Sequence, residues 1–572
     1  MKITGIPIYP GVVLGNAFVF SDAFDLTISL EADSLVSFAE KREAFRSAVA
    51  KAHKQLVAAM DSIEDKSSDA YTILDAQSSI LYDEAINEEI LCSLESGSCL
   101  STAINSSFDS YIEVFRNAEN DFTRERAADM DDIRKRILRC LSGTRVRSLG
   151  DMTVPAVIVA EDLSPSDTAT LNKDMVLAIV TEKGGETSHT AILARSLGIP
   201  TILGAGEITD LVKEGDPLGI NAESGEIFIR PTTEEISALQ KLRTSFEVER
   251  QKLAAHKNAV AKTLDGARIH IEVNISAADS ISDEDAAVSD GVGLMRSEFL
   301  YMHAKSLPDE DAQYKAYRDV LDKFKGKPVI LRTLDIGGDK NLPSLSLPKE
   351  DNPFLGCRAV RLCFEKAEIF KTQLRAALRA SAHGPLQIMF PMISSLDDWR
   401  RAKEFVEHTK EELLSEEKSF RHSIPLGIMI EIPSAALLSN RLAKEVDFAS
   451  VGTNDLCQYL HAADRLNPRV SQYYQSYSPA MLRILRYIAH HYTESSTPVG
   501  ICGEMGGNPC AAPLLIGLGF RKLSMNASSL GGVKQVVRHI SLGDAKCLAQ
   551  RACDAASQAE VLQLLEEFRQ SE

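Results

Sequence analysis

The sequence predicts a multidomain α/β protein that ends in a TIM (β/α)8 barrel. Three observations carry that expectation. The chain has 572 residues, more than one hydrophobic core organises, so several domains are expected. In the C-terminal half, eight short apolar runs alternate with helix-like segments over roughly 300 residues, close to the ~250 typical of such a barrel. In the N-terminal part, strand-like runs flank a long block of helical periodicity, which marks a small α/β unit interrupted by an insertion. An open doubly wound sheet is the alternative for the C-terminal half.

Taken in order, Gly5-Ile6-Pro7 and Gly11 to Phe20 read as short strands. After Asp33 the pattern changes. Phe38, Phe45, Val49, Leu56, Met60 and Ile63 recur at steps of three, four and seven, one face of a long helix. Helical patterning continues to about Leu141, with a loop expected over Ser93–Ser98. Acidic residues cluster in this block (Asp61, Glu64, Asp65, then Asp83, Glu84, Glu88, Glu89). They read either as a solvated helix face or as a docking face for a basic partner. Strand character returns from Thr153 to Ala160, at Val176–Val180 and at Pro200–Gly204. Thr232 and Glu235 have capping-box spacing and open a polar connecting helix that carries Ile236, Leu239, Leu242, Phe246 and Leu253 and runs to about Lys262. The eight C-terminal runs are Ile269–Ile275, Gly291–Met295, Val329–Leu334, Leu386–Pro391, Leu426–Ile432, Phe448–Gly452, Pro498–Cys502 and Lys522–Met525. The expected division is an α/β domain from 1–20 and 144–230, an inserted α-helical subdomain at 21–143, a linker helix at 231–262 and the barrel at 263–572.

Composition narrows the function. Hydrophobic content of 44% and charged content of 25% are ordinary for a soluble globular protein. No long apolar segment suggests membrane insertion, and Met1–Pro7 lacks the form of a secretory signal, so a cytoplasmic location is the default expectation. The net charge of -18 argues against general nucleic-acid binding. The ten cysteines are scattered without a CxxC pair, so reduced thiols are expected rather than disulfides or a metal cluster.

Two groups of residues carry chemistry. The first is Gly184-Gly185-Glu186-Thr187-Ser188-His189, between an apolar strand and a helical run. Thr187 and Ser188 are good N-cap residues, which places His189 at the first turn of a helix. The free N–H groups there favour a bound anion and disfavour an imidazolium, both of which suit a histidine that accepts a phosphoryl group. A capped surface histidine is the plainer reading. Ser164–Thr168 forms a loop that can lie beside His189.

The second group lies at the ends of the barrel runs, where barrel enzymes keep their catalytic groups. Arg296 and Glu298 end the second run, Arg332 lies in the third with Asp335 and Lys340 after it, and Glu431 ends the fifth. Asn454, Asp455 and Arg465 follow the sixth, Cys502 and Glu504 the seventh, and Asn526 the eighth. Arg296, Arg332 and Arg465 can clamp a compact polyanion bearing phosphate and carboxylate. Glu431 and Asp455 can hold Mg²⁺. A surface salt bridge is the usual fate of each such residue alone; their coincidence at strand ends weighs against it. Cys502 reads as a small buried hydrophobe or as an acid or nucleophile.

With these motifs the chain closely resembles Enzyme I of the bacterial phosphoenolpyruvate-dependent sugar phosphotransferase system. The match rests on the Gly184–Thr190 stretch, Gly291–Leu300, Arg332–Lys340, Asn352–Ala359, Gly452–Leu456 and Cys502–Glu504, and runs from the first residues to near the C-terminus. The resemblance implies that phosphoenolpyruvate binds on the barrel with Mg²⁺ at Glu431 and Asp455, held by Arg296, Arg332, Asn454, Asp455 and Arg465. It implies that His189 takes the phosphoryl group through Nε2 and Cys502 protonates the enolate to give pyruvate. Thr168, Arg195, Lys340, Arg358 and Glu504 are implied in support. Phospho-His189 then serves a histidine of the carrier protein HPr, docked on the helical subdomain, and the chain dimerises through the barrel. His189 must then swing between two partners, with the polar helix from Glu234 onward as the hinge region. A regulatory phosphotransferase feeding a non-sugar carrier chain is the alternative. Phosphoenolpyruvate synthase and pyruvate phosphate dikinase share these parts but carry an ATP-binding domain for which no segment is seen. The nitrogen-regulatory branch adds an N-terminal sensory domain, also not seen. A non-catalytic scaffold would have lost the rim residues, which are present. Three positions depart from the pattern: Glu186 where Arg is common, Gln77 where His is usual, and Cys357 where an aromatic residue is usual.

Overall fold

The computed structural model describes residues 1–20, 37–61, 77–116, 121–142, 149–163, 171–185, 188–302, 306–337, 345, 348, 350–465, 467 and 469–571. The chain divides into two compact units, Met1–Glu249 and Arg250–Glu572.

In the first unit eight strands form one sheet. They are β1 (Lys2–Thr4), β2 (Ile6–Tyr9), β3 (Val12–Phe20), β4 (Ala156–Ala160), β5 (Val176–Thr181), β6 (Thr201–Leu203), β7 (Pro217–Asn221) and β8 (Glu226–Ile229), in the order β1-β8-β7-β3-β4-β5-β6-β2. β3, β4, β5 and β6 run parallel, and antiparallel strands lie at both ends of the order. Every residue of β4 is buried, the near-continuous apolar run expected of a parallel strand covered on both faces.

Between β3 and β4 the chain makes four described helices, Phe38–Asp61, Glu84–Glu95, Leu100–Arg116 and Asp121–Ser142. They share a core of their own in which Phe45, Val49, Leu56, Ile90, Ile104, Phe108 and Ile133 are buried, as the periodicity requires. Ile63, Glu64 and Asp65 lie outside the described residues. The expected loop is shorter than Ser93–Ser98: the helix continues to Glu95 and Ser96 closes it, its N–H donating to the carbonyl of Cys92. Gln77 is fully buried, and its Nε2 donates to Asp132 Oδ2 at 3.0 Å.

The helix Thr233–Lys257 starts on the expected capping box. Thr232 N donates to Glu235 Oε2 at 2.7 Å and Glu235 N to Thr232 Oγ1 at 3.3 Å. It stops at Lys257, five residues before the expected Lys262. There the buried Lys534 ammonium takes over capping, donating to the Lys257 carbonyl at 2.7 Å.

In the second unit β9 (His270–Ile275), β10 (Val292–Arg296), β11 (Val329–Arg332), β12 (Leu386–Phe390), β13 (Leu426–Ile430), β14 (Phe448–Val451), β15 (Val499–Ile501) and β16 (Lys522–Met525) close into a barrel. All eight neighbouring pairs are parallel, and β16 pairs back to β9. The open doubly wound sheet is therefore excluded. Several strands end one or two residues earlier than their apolar runs, which leaves Glu431 and Cys502 just past the ends of β13 and β15. Leu294, Ile330, Met389, Met429, Phe448 and Cys502 fill part of the barrel interior.

Candidate active site at the barrel rim and the His189 helix

In the first unit, the helix His189–Leu197 begins where the sequence places it. Ser188 is the N-cap, and its hydroxyl accepts from the Ala191 amide at 3.3 Å. Gly184 has φ +100, a conformation that favours glycine and lets the chain turn off β5 into the cap. His189 is thus the first helical residue, where unpaired amides face outward. The surroundings of its imidazole, together with Thr168, Glu186 and Thr187, lie outside the described residues. Arg195 sits exposed in the last turn of the same helix.

In the second unit, the strand ends bring most of the remaining candidates to one rim. Arg332 ends β11 with its guanidinium buried. Nη2 donates to Glu298 Oε1 at 2.5 Å, and Nη1 lies 3.1 Å from Asp335 Oδ2. Asp335 in turn accepts from Arg358 Nη2 at 2.9 Å, and Arg358 reaches Asp455 Oδ2 at 3.8 Å. Burial works against the charge on both arginines. The facing carboxylates outweigh it (Glu298 and Asp335 for Arg332, Asp335 and Asp455 for Arg358) and hold both guanidiniums more firmly protonated than usual. Arg296 differs. Burial, and then the neighbouring Arg332, lower its affinity for a proton, and among the described residues it has no ion-pair partner. A half-buried guanidinium with no ion pair among the described residues is suited to meeting an anion.

Glu431 is buried, and its Oε1 accepts from the Met392 amide at 2.6 Å. Burial first, then the Asp455 and Asp335 carboxylates, push its carboxyl up to about 8. Among the described residues its Oε2 has no partner, nor has Asp455 Oδ1. Asn454 and Glu504 interlock: Asn454 Nδ2 donates to Glu504 Oε1 at 3.0 Å, and Glu504 N to Asn454 Oδ1 at 3.2 Å. Gly503 permits that approach, because a Cβ there would fall 1.9 Å from Thr453 Oγ1. Cys502 is buried, with Sγ 3.6 Å from the Val451 carbonyl. Burial pushes its thiol up to about 11, so it stays protonated at neutral pH. Arg465 is half-buried, its amide tied to Gln458 Oε1 at 3.2 Å. Lys340 lies outside the described residues.

Sequence reasoning missed the backbone around these side chains. Met392, whose amide holds Glu431, has φ +55; Ala359, next to Arg358, has φ +52 and ψ -126. Non-glycine residues rarely occupy such conformations, and strain of this kind collects at ligand sites. No residue type announced it in advance. Cys357, one of the departures, turns its thiol to Glu365 Oε2 at 3.3 Å.

Three family models match the chain. Residues 4–126 match the model of the PEP-utilising enzyme N-terminal family, 152–225 the PEP-utilising enzyme mobile domain and 250–542 the PEP-utilising enzyme PEP-binding domain. The phosphoenolpyruvate-protein phosphotransferase of Listeria monocytogenes serovar 1/2a is 39% identical over 573 residues, covering 99% of both chains. The protein of that name from Staphylococcus carnosus is 39% identical over 569 residues, again with 99% of both covered. That from Bacillus sp. (strain S) is 39% identical over 562 residues, with 98% of this chain and 97% of its own covered. With full-length identity at this level, the chain belongs to the phosphoenolpyruvate-protein phosphotransferase family, Enzyme I.

Proposed function

We propose that the protein transfers the phosphoryl group of phosphoenolpyruvate to His189 and from there to a histidine of the carrier HPr, releasing pyruvate, as the first step of a sugar phosphotransferase system. One observation carries the reading. Among the described residues, buried polar atoms without partners gather at the C-terminal rim of the barrel: Ser297 Oγ, Arg332 Nε, Thr333 Oγ1, Glu431 Oε2, Thr453 Oγ1 and Asp455 Oδ1. Native proteins satisfy nearly all such atoms, so this concentration calls for a polar, charged ligand.

In this reading Arg296 and Arg332 receive the phosphate and carboxylate of phosphoenolpyruvate, and Asn454, in the first turn of the helix after β14, and Arg465, beyond that helix, close the site. Glu431 and Asp455 would hold Mg²⁺; two carboxylates with unpartnered oxygens are a donor set that suits a hard dication keeping further positions for substrate oxygens. The bound ion would draw charge off the phosphate and the enolate. His189 Nε2 forms the N–P bond as the P–O bond to the enolate breaks, and the Cys502 thiol delivers its proton to the enolate carbon. Positioning and charge neutralisation are the protein's whole task in such a transfer. Arg358, through Asp335, holds Arg332 in place; Glu504 holds Asn454. Thr168, Arg195 and Lys340 are proposed in support. The helical block at 21–143 docks HPr, the helix from Thr233 links donor and acceptor sites, and the barrel carries the dimer contact. The protein works in the cytoplasm, where its reduced cysteines belong.

Incubation with phosphoenolpyruvate labelled at phosphorus, with and without Mg²⁺ and candidate carriers, tests the proposal. Acid-labile label on His189 that moves to HPr is expected. Undiminished labelling of His189→Ala refutes the acceptor, and labelling unaffected by chelation refutes the metal.

A further inference from the structure

If Cys502 gives its proton to the enolate, as proposed above, each turnover leaves a thiolate inside the barrel. The residue is only 3% exposed, so bulk water has little direct access to the thiol. The barrel interior offers a route. Ser450 on β14 is buried and lies close enough to the Cys502 thiol for its hydroxyl to favour the thiolate, against the larger effect of burial. It pairs in register with Gly500 of β15, two residues before Cys502, so both side chains point inward. Next to Ser450 lies a cavity of about 10 Å³, lined also by Glu272, Ser524 and Lys522. That is room for about one water, with enough polar groups to hold it. Glu272 is buried, and its Oε1 lies 3.3 Å from Lys522 Nζ. Lys522 is the first residue of β16, at the N-terminal mouth of the barrel, with its side chain 27% exposed.

Burying a carboxylate, an ammonium and two hydroxyls beside Ile330 and Phe448 costs stability that apolar residues would have spared. We propose that Ser450, Glu272 and Lys522 form a proton-delivery column that recharges the Cys502 thiol from the mouth opposite the active site. In each cycle the S–H bond of Cys502 breaks as the C–H bond of the pyruvate methyl group forms. The thiolate then takes the Ser450 hydroxyl proton while the Ser450 oxygen takes one from the cavity water. That water is resupplied by the Lys522 ammonium through Glu272, and Lys522 by solvent. One proton enters from bulk water, one leaves on pyruvate, and no electrons are transferred. Ser450 and Glu272 are positioning residues that act through Cys502.

The test is pre-steady-state turnover of the full chain with phosphoenolpyruvate, Mg²⁺ and HPr. The first turnover uses the proton already on Cys502; later ones need the column. Ser450→Ala should form one equivalent of product and then turn over at least tenfold more slowly than wild type. Ser450→Thr, which keeps the hydroxyl, should recover most of the rate, and Glu272→Gln should show the same burst. A Ser450→Ala protein without a burst, turning over within twofold of wild type while Cys502→Ala is slow, overturns the column and leaves the role of Cys502 standing. Wild-type turnover by Cys502→Ala removes both. If Ser450→Ala slows even the first turnover, the barrel is distorted, and the presence or absence of a burst in Glu272→Gln decides.

Discussion

Asp335→Ala tests the claim that one carboxylate organises the barrel rim. Asp335 is 1% exposed and touches two buried guanidiniums, Arg332 at 3.1 Å and Arg358 at 2.9 Å. After truncation Arg332 keeps Glu298, but among the described residues Arg358 keeps one carboxylate, Asp455 at 3.8 Å, beside the Tyr459 hydroxyl at 3.4 Å. Breaking a buried pair by removing one partner costs about 3–5 kcal/mol. Part of the loss is offset, because Asp335 is one of the charges that hold Glu431 protonated, and without it Glu431 ionises more readily beside the two arginines. For a unit of this size ~1 kcal/mol moves the midpoint by roughly 2 °C, so the drop is at most about 6–10 °C before that offset and about 4 °C or more after it. The assay is built in. Trp399 is the single tryptophan, is buried, and lies in a barrel helix, so its fluorescence follows the second unit without the first. The reference is Asp319→Ala, which removes a pair with Lys315 whose side chains are 78% and 40% exposed and should move the midpoint by about 2 °C or less. An Asp335→Ala shift no larger than that of Asp319→Ala would refute the reasoning.

Two further outcomes follow from named contacts. Glu431 is raised from an unfolded value near ~4.3 to about 8, so between those values the native state holds a proton that the unfolded state lacks. Without metal its contribution to stability therefore falls as pH rises through that window, by at most about 1.4 kcal/mol per unit; Mg²⁺, which needs the carboxylate, should bind about tenfold tighter per unit up to about 8 and then level off. Calorimetric titration at four pH values checks it, and a pH-independent affinity contradicts it. Ser188→Ala removes the cap of the His189 helix and should cost about 1 kcal/mol locally, read as roughly fivefold faster hydrogen exchange at the Ala191 amide; unchanged exchange would mean that the cap is not holding the helix start.

The barrel was legible because its strands are buried on both faces and so appear as unbroken apolar runs such as Leu426–Ile430. The rim side chains were legible because position along a parallel strand fixes which end a residue reaches. What escaped the sequence is the geometry between loops. That Asp335 would bridge Arg332 to Arg358, or that the Met392 amide would bond Glu431, depends on strained turns at Ala359 and Met392 that the surrounding packing imposes. The end of the connecting helix at Lys257 is set by a lysine 277 residues away in the chain, which no local pattern records.

The topology of the first sheet bears on how this protein can change. The helical block occupies the place of an ordinary crossover: it leaves after Phe20 of β3 and returns to β4, the parallel neighbour of β3. Its apolar core is separate from the cores of the sheet. No strand pairing depends on what the crossover contains, only on its leaving and returning at those two points. The block is therefore a cassette. It can be lengthened, recharged or exchanged wholesale for another helical module while every register between Lys2 and Ile229 is kept, so the surface the block presents can change without rebuilding the sheet that brackets it.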